Sequence, residues 1–530
     1  MRFRREWLVA SALAALLTVV LTWPQALYPG TRVVDHIDPF FSMWRLEWIA
    51  HALRTDPRQL FNANILYPAP RTLAYSDAAL VEGLLAAPLL WAGVGPVLVY
   101  NLLLFVGIAG SGLGMFVLAR ALTGNASAAL VGAAIFTLLP YRVAHAMHLE
   151  LQWTMWLPLT LWAIHRAAEE GAWRFGALAG LLIALQMLSS VYYGVFLVIT
   201  AVMLGVGLAS TEPRRAVKAL ATLALGAVVA LALTWPYALP YLDNARALGP
   251  RDTAAFSARL VSYVTAPRGN WIWGWTSERF PGDELHLAPG LVSVVLAIVG
   301  LTWRPRRIPA LYLIVCALSV ELSLGLNSYL FTWLSSRMTP LGDLRALARF
   351  SIIAFTSMAV LAAFGFDRLQ QRLSSRRARH GLCAAIIVLV AVESSSAPIP
   401  LTAVQPSTPD VYRILASKGP GVVLELPVPY FDPWYEYWSA AHWKPLVNGY
   451  SGYISQSYSR TLDSLATFPD DESLGRLKRL NVRYILVHRA FYKTRDSYID
   501  MVLRMGNRPE LIPLGQFKDW IDDTTLFEMR

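Results

Sequence analysis

From the N-terminus to about residue 397 the chain alternates long apolar runs with short polar breaks, and beyond that point the pattern changes. About 20 residues of apolar helix match the hydrocarbon thickness of a bilayer. Runs near that length fall at 7–27, 96–120, 126–141, 149–166, 173–190, 191–209, 216–236, 286–303, 308–326, 349–368 and 381–397. The pattern predicts about 11 spans. The run 80–91 is apolar but too short to cross, and reads as re-entrant or interfacial. After Ala397 no further spanning run occurs. There GVVLELPV (421–428), VRYILVH (482–488) and TTLFEM (524–529) read as strands, and 473–480 reads as a helix closing on Lys and Arg. The expected fold class is mainly α. A polytopic membrane domain over 1–397 is followed by a small external α/β domain over 398–530, long enough for its own core.

Composition agrees with that class. Of 530 residues, 55% are hydrophobic and 15% charged, and the mean hydropathy is +0.44. The net charge of +11 is that of Lys- and Arg-loaded cytoplasmic loops, not of a nucleic-acid binder. Arg2, Arg4 and Arg5 precede the first run, as in a signal peptide, but the later runs favour an uncleaved first span. With 80–91 left out, Arg120, Arg166, Arg174, Arg214, Arg215, Lys218, Arg304, Arg306, Arg307 and the cluster Arg368–Arg379 all fall inside. The N-terminus is then cytoplasmic, and the C-terminus periplasmic or extracellular. The external side collects 28–95, 141–148, 237–285, 327–348 and the tail. Cys316 and Cys383 lie in apolar segments and offer neither a disulfide framework nor a metal spacing.

The long first loop holds most of the candidate chemistry. A connection of that length is usually functional, and Phe40, Phe41, Trp44, Trp48, Phe61 and Tyr67 argue against disorder. The spacing from Pro39 predicts a short amphipathic helix on the membrane surface, with Asp38 as its N-cap. Asp38 and Asp35 are candidate general bases or cation ligands; Asp38 as a cap and Asp35 as a solvated group are the plain alternatives. Asp77 and Glu82 could line a cavity or cap the next segment.

Three further groups stand outside. In YRVAHAMHLELQW (141–153), His145 and His148 share a face if the segment is helical, and with Arg142 they suit a phosphate or, more weakly, a metal. The loop 237–285 carries Arg251, Arg259 and Arg268, with Trp271, Trp273 and Trp275 as an interfacial belt or a stacking platform. In GDLRALARF (342–350), Arg345 and Arg349 are four apart on one expected helical face. Cations at that end break the charge bias and suit a lipid phosphate or headgroup.

The arrangement resembles the GT-C superfamily of membrane glycosyltransferases that use polyprenol-phosphate-linked sugars. DHIDPFFSMWRLEW is similar to the acidic first-loop motif of that group. YRVAHAMHLELQWTMWLPLTLWAIHR, LRALARF and the tail segment 425–453 are similar to stretches of its poorly characterised bacterial members. The resemblance covers roughly 7–397 and is architectural more than motif-deep. It implies an inverting transfer at the external face of the inner membrane, with Asp38 as base and Asp35 as the alternative, since no acidic doublet stands there. On the enzyme reading, Arg142, His145, His148, Arg345 and Arg349 are the candidates for the donor phosphate, and Asp77, Glu82, Trp271 and Trp273 for the substrate cavity. The expected partners are a polyprenol-phosphate sugar, membrane lipids and a glycan, lipid or protein acceptor. A divalent cation is the one cofactor left open. The readings from other classes are a lipid or polysaccharide transporter and a non-catalytic envelope assembly protein. Few ionisable groups lie in the spans, which weighs against transport.

Overall fold

The computed structural model describes residues 2–530 apart from 212, 249–252, 281, 338–343 and 519–521. Arg251 and the start of the GDLRALARF segment lie outside the described residues. The chain divides into two compact units. One comprises Met1–Pro29, Asn101–Leu239 and Gly249–Leu401; the other comprises Gly30–Tyr100, Pro240–Leu248 and Thr402–Arg530. The first loop thus groups with the tail, whereas the sequence pattern assigns it to the membrane domain.

The first unit is helical. Among the described residues, five stretches are long and apolar enough to cross a membrane: Pro96–Thr123, Ala126–Ala144, Val191–Ser210, Leu220–Leu248 and Leu347–Gln370. The other apolar runs form helices that are shorter or more polar, so length and composition by themselves do not confirm the expected 11. Run 286–303 forms only Leu291–Gly300, and run 149–166 is interrupted between Gln152 and Trp156. Small residues bring helix backbones together. A Cβ on Gly365 would lie 1.9 Å from the Leu296 carbonyl oxygen, and one on Gly300 would lie 2.0 Å from that of Leu361. Without a hydrophobic drive between helices in lipid, such close approach is a main source of cohesion.

The second unit joins the first loop to the tail. Its helix Asp38–Thr55 is 18 residues long. It is not the short surface helix expected: Phe40, Met43, Trp44, Leu46 and Ile49 are all buried. The N-cap position is Ile37, and Asp38 sits in the first turn with Pro39. The tail covers the aromatic face that the spacing assigned to lipid. Phe40 stacks on Trp434 at 4.1 Å and meets Tyr437 edge-on at 5.7 Å, and Phe41 meets Tyr450 edge-on at 5.6 Å. The backbone is stitched as well. Leu446 N–H donates to Asn64 O (2.7 Å), Leu66 N–H to Asn448 O (2.9 Å) and Tyr67 N–H to Leu446 O (2.9 Å). The next helix, Leu80–Trp91, has 12 residues, or about 18 Å of rise, too little to span.

Two short strands, β1 (Arg32–Val34) and β2 (Leu401–Ala403), pair with each other. The tail sheet has β3 (Val422–Leu426), β4 (Val482–His488), β5 (Leu511–Lys518) and β6 (Asp523–Met529) in the order β3-β4-β6-β5. β3 and β4 are parallel and almost wholly buried, which is why both read as apolar runs. β5 escaped the sequence pattern. It is an edge strand broken by a bulge between Pro513 and Gly515, and edges are where Pro is tolerated.

Candidate active site

Among the described residues, each unit holds a buried polar centre that contains sequence candidates. In the second unit it forms around the start of the helix Asp38–Thr55. Asp38 is 5% exposed. Its backbone N–H donates to His36 Nδ1 (3.2 Å), and that nitrogen is 3.6 Å from Asp38 Oδ2. Asp35, by contrast, is exposed, and its Oδ1 accepts from the Thr402 hydroxyl. Two turns into the helix, buried Arg45 donates to Ser42 Oγ (3.0 Å) and to the backbone carbonyl of Asp77. Asp77 and Glu82 are both buried. Arg45 thus reaches Asp77 at its main-chain carbonyl, a contact that no side-chain reading of the sequence would find.

The tail contributes a carboxyl that the sequence reading missed. Glu436, on the helix Asp432–Ser439, is fully buried. Its Oε1 accepts the Tyr450 N–H at 2.6 Å, and its Oε2 has no hydrogen-bond partner. Burial drives its pKa well above the usual carboxylate range; the Tyr450 N–H and Arg45 work against that, and Asp432 and Asp38 work with it. Glu47 behaves similarly. Its Oε2 is shut off from solvent without a partner, and burial pushes its pKa to about 8.

The centre in the first unit forms where the Pro140–Ala144 helix ends. His145 and His148 lie not on a helix but in the turn before Leu149–Gln152. The turn stacks their rings at 5.9 Å, and Tyr141 packs on His145 at 4.2 Å. His145 is fully buried, and among the described residues neither of its ring nitrogens has a hydrogen-bond partner. Burial lowers its pKa to about 3, so the imidazole is neutral at physiological pH. Beside it Glu284 takes a forked contact from Arg349, with Nε 3.1 Å from each carboxylate oxygen and Nη2 on Oε1. Burial opposes ionisation of Glu284, but the charge and hydrogen bonds of Arg349 outweigh it and hold the carboxyl below its usual range.

His145, His148 and Glu284 offer ligand atoms within 4.8 Å of one another. Ligands about 2.1 Å from a shared ion are at most about 4.2 Å apart, so a small closure would seat one. Two imidazoles and a carboxylate suit zinc or a similar divalent ion. The two unsatisfied nitrogens of His145 fit that use, although Arg349 already occupies Glu284.

The remaining sequence candidates are placed as follows. Arg142 is 2% exposed and braces its own segment: Nε donates to Phe136 O (3.0 Å) and Nη2 to Thr154 Oγ1 (2.7 Å), with Nη1 3.4 Å from Gln152. Arg345 and Arg349 do not share a helical face. Arg345 lies in irregular chain with its guanidinium 4.1 Å over the Phe256 ring, and Arg349 lies in the short turn Leu347–Phe350. Trp271 donates to the Ala397 carbonyl (2.7 Å) and is largely exposed, while Trp273 donates to Glu393 (3.1 Å). Glu284 went unnoticed because a lone Glu in a polar loop carries no pattern.

No protein-family model matches the sequence, and no curated protein matches it. Solved structures do match in fold. The arabinofuranosyltransferase AftD from Mycobacteria aligns over 99% of this chain with a TM-score of 0.67 at 15% identity. The R1389S mutant of the same protein aligns with a TM-score of 0.68. The oligosaccharyltransferase AglB from Archaeoglobus fulgidus, solved with an inhibitory peptide and a dolichol-phosphate, aligns over 99% with a TM-score of 0.54 at 12% identity. The chain has the GT-C fold. It spans 40% of the AftD chain and 74% of the AglB chain. Both are GT-C membrane glycosyltransferases, and that fold accounts for the apolar helices with a small sheet domain in the tail.

Proposed function

We propose that this GT-C protein is a membrane glycosyltransferase that moves a sugar from a polyprenol-phosphate donor to an acceptor on the external face of the membrane. The observation that carries the reading is the cluster of Arg349, Glu284, His145 and His148, in a fold shared along nearly the whole chain with two glycosyl-transferring proteins. A dolichol-phosphate in the AglB structure supports a lipid-phosphate donor here. The acceptor is a glycan, a lipid or a protein.

In the reaction an acceptor hydroxyl attacks the anomeric carbon, and the bond from that carbon to the phosphate oxygen breaks. Asp38 takes the hydroxyl proton, and the phosphate leaves with the bonding electron pair. Asp38 suits the base because it is held in the first turn of a buried helix, whereas Asp35 is exposed and engaged by Thr402. Fixed positive charge stabilises a leaving phosphate in a water-poor site, and Arg349 is the first unit's candidate for that role. A divalent cation would be held by His145, His148 and Glu284 and would supply positive charge in that centre. Orientation follows the Lys and Arg bias, with the N-terminus cytoplasmic and the tail external in a bacterial inner membrane, and about 11 helices crossing.

The test is transfer of a labelled sugar from a lipid-phosphate donor by the purified protein in detergent, with and without a chelator. Product from the parent and none from Asp38→Asn supports the reading. A parent that consumes no lipid-linked sugar overturns it and moves the transporter or assembly readings ahead.

A further inference from the structure

Two helices of the tail, Gln456–Leu465 and Asp471–Arg479, gather positive charge that the transfer site proposed above does not use. Arg476 reaches from the second helix to the first. Its Nε donates to Thr461 Oγ1 (3.0 Å) and its Nη2 to the Ser457 carbonyl (2.8 Å). Ser457, Arg460 and Thr461 share one face of the first helix, and Arg479 follows Arg476 by three residues on the second. Three guanidiniums therefore meet where the helices join. Burial, and after it Arg479 and Arg460, pull the pKa of Arg476 below the usual arginine value, as crowding of like charges should.

No carboxylate answers this charge among the described residues. Arg476 is held by neutral oxygens alone. Arg460 and Arg479 form no ion pair, although Asp463 lies three residues after Arg460 and Glu472 lies four before Arg476. Other arginines of the tail are matched: Arg413 pairs with Asp410, Arg483 with Glu528, Arg489 with Asp522, Arg504 with Asp500 and Arg508 with Asp471. From Thr402 onward the chain has as many acidic as basic residues, so the cluster is local and not part of a general excess. Nor does it flank a spanning run, so the charge bias of membrane loops does not call for it.

We propose that Arg460, Arg476 and Arg479 form a binding site for a phosphate monoester. Such a group carries a charge of about −1.5 to −2 near pH 7 and three strong acceptor oxygens. Three guanidiniums match it better than they match the single charge of a carboxylate or a sulfate ester, and their paired N–H groups fit phosphate oxygens in a fork. Arg460 and Arg479 are exposed, so the ligand reaches them from solvent and needs no enclosed cavity. The phosphate is carried either by a soluble saccharide or by a lipid headgroup; the chemistry recognised is the same.

The experiment uses the full-length protein in detergent at pH 7, with bound ligand counted by native mass spectrometry. The probes are glucose 6-phosphate and phosphatidic acid, and the controls are glucose 6-sulfate and phosphatidylcholine. Arg460→Gln and Arg479→Gln should each weaken phosphate binding by about tenfold, the loss of one charge-assisted hydrogen bond. Both side chains are exposed, so these variants should fold, whereas Arg476 also ties the two helices together. Arginine-dependent binding of glucose 6-phosphate assigns the site to a soluble phosphate. Arginine-dependent binding of phosphatidic acid alone assigns it to a lipid headgroup. Binding of neither probe, binding that both variants retain in full, or equal binding of the sulfate ester would each overturn the proposal. Binding is read without turnover, so its failure leaves the transfer reading untouched, and failure of transfer leaves this site untouched.

Discussion

At the residue scale, environment separates groups that sequence cannot. Asp35 and Asp38 are three apart in one motif, yet one is exposed and the other buried. Asp38→Asn keeps size and should lower transfer by about 10²–10⁴-fold, the usual cost of losing a general base; Asp35→Asn should cost less. Labelled-sugar transfer checks both, and the reverse order would move the base to Asp35. The arginines divide in the same way. Arg142→Lys should lower the unfolding temperature, because a lysine cannot reproduce the contacts to Phe136, Gln152 and Thr154. Arg349→Lys keeps charge near Glu284 but loses the fork, so it should slow transfer more than it destabilises. From sequence the two were equivalent candidates, because both are cations at the end of an apolar run.

Glu47 gives a pH prediction at the same scale. Its pKa is raised from 4.5 to about 8 by burial, so the folded protein holds a proton that the unfolded chain releases. Stability therefore falls as pH rises from about 4.5 to about 8 and levels off above that, by at most about 1.4 kcal/mol per pH unit. Glu47→Gln should flatten this slope in thermal unfolding series across that window. An unchanged slope would show that Glu47 is not the group responsible.

At the element scale, the tail and the first loop form one folding unit. Trp44 donates to Asn64 Oδ1 (3.1 Å), and Asn64 Nδ2 donates to Ser439 Oγ (3.0 Å), so one asparagine links the first-loop helix to a tail helix. Gly449 lies against this seam: a Cβ there would be 2.4 Å from Leu66 Cγ and 3.1 Å from the Leu66 nitrogen. Gly449→Ala should destabilise by about 1–3 kcal/mol, the usual cost of overpacking, and denaturant unfolding would show it. Periodicity found the helix Asp38–Thr55 but not its partner. An aromatic stripe looks the same whether lipid or Trp434 covers it. Likewise, strands β3 and β4 were legible as apolar runs, whereas β5 was hidden by Pro513 and Gly515.

At the scale of the whole molecule, the apolar runs and the change of composition near residue 397 were enough to expect a helical membrane domain and a separate tail, and the GT-C expectation came from the resemblance alone. The polar centres were only half legible. His145, His148 and Asp38 stand in recognisable motifs, but Glu284 and Glu436 reach their centres through tertiary folding and have no local signature. Charge placement remains the strongest whole-chain argument, because moving a basic cluster across a membrane is far costlier than leaving it inside. It makes a definite forecast for both sides. A reporter that is active only after export should work when fused after Arg530, and one that folds only in the cytoplasm should work when fused within 371–375, just after the helix Ser351–Gln370. The arginines Arg368, Arg372, Arg376, Arg377 and Arg379 flank that second position and should hold it inside. Replacing several of them with neutral residues should then raise the fraction of misoriented chains. If the Arg530 fusion is active only in the cytoplasm, the orientation is inverted, and an external acceptor for Asp38 is lost with it.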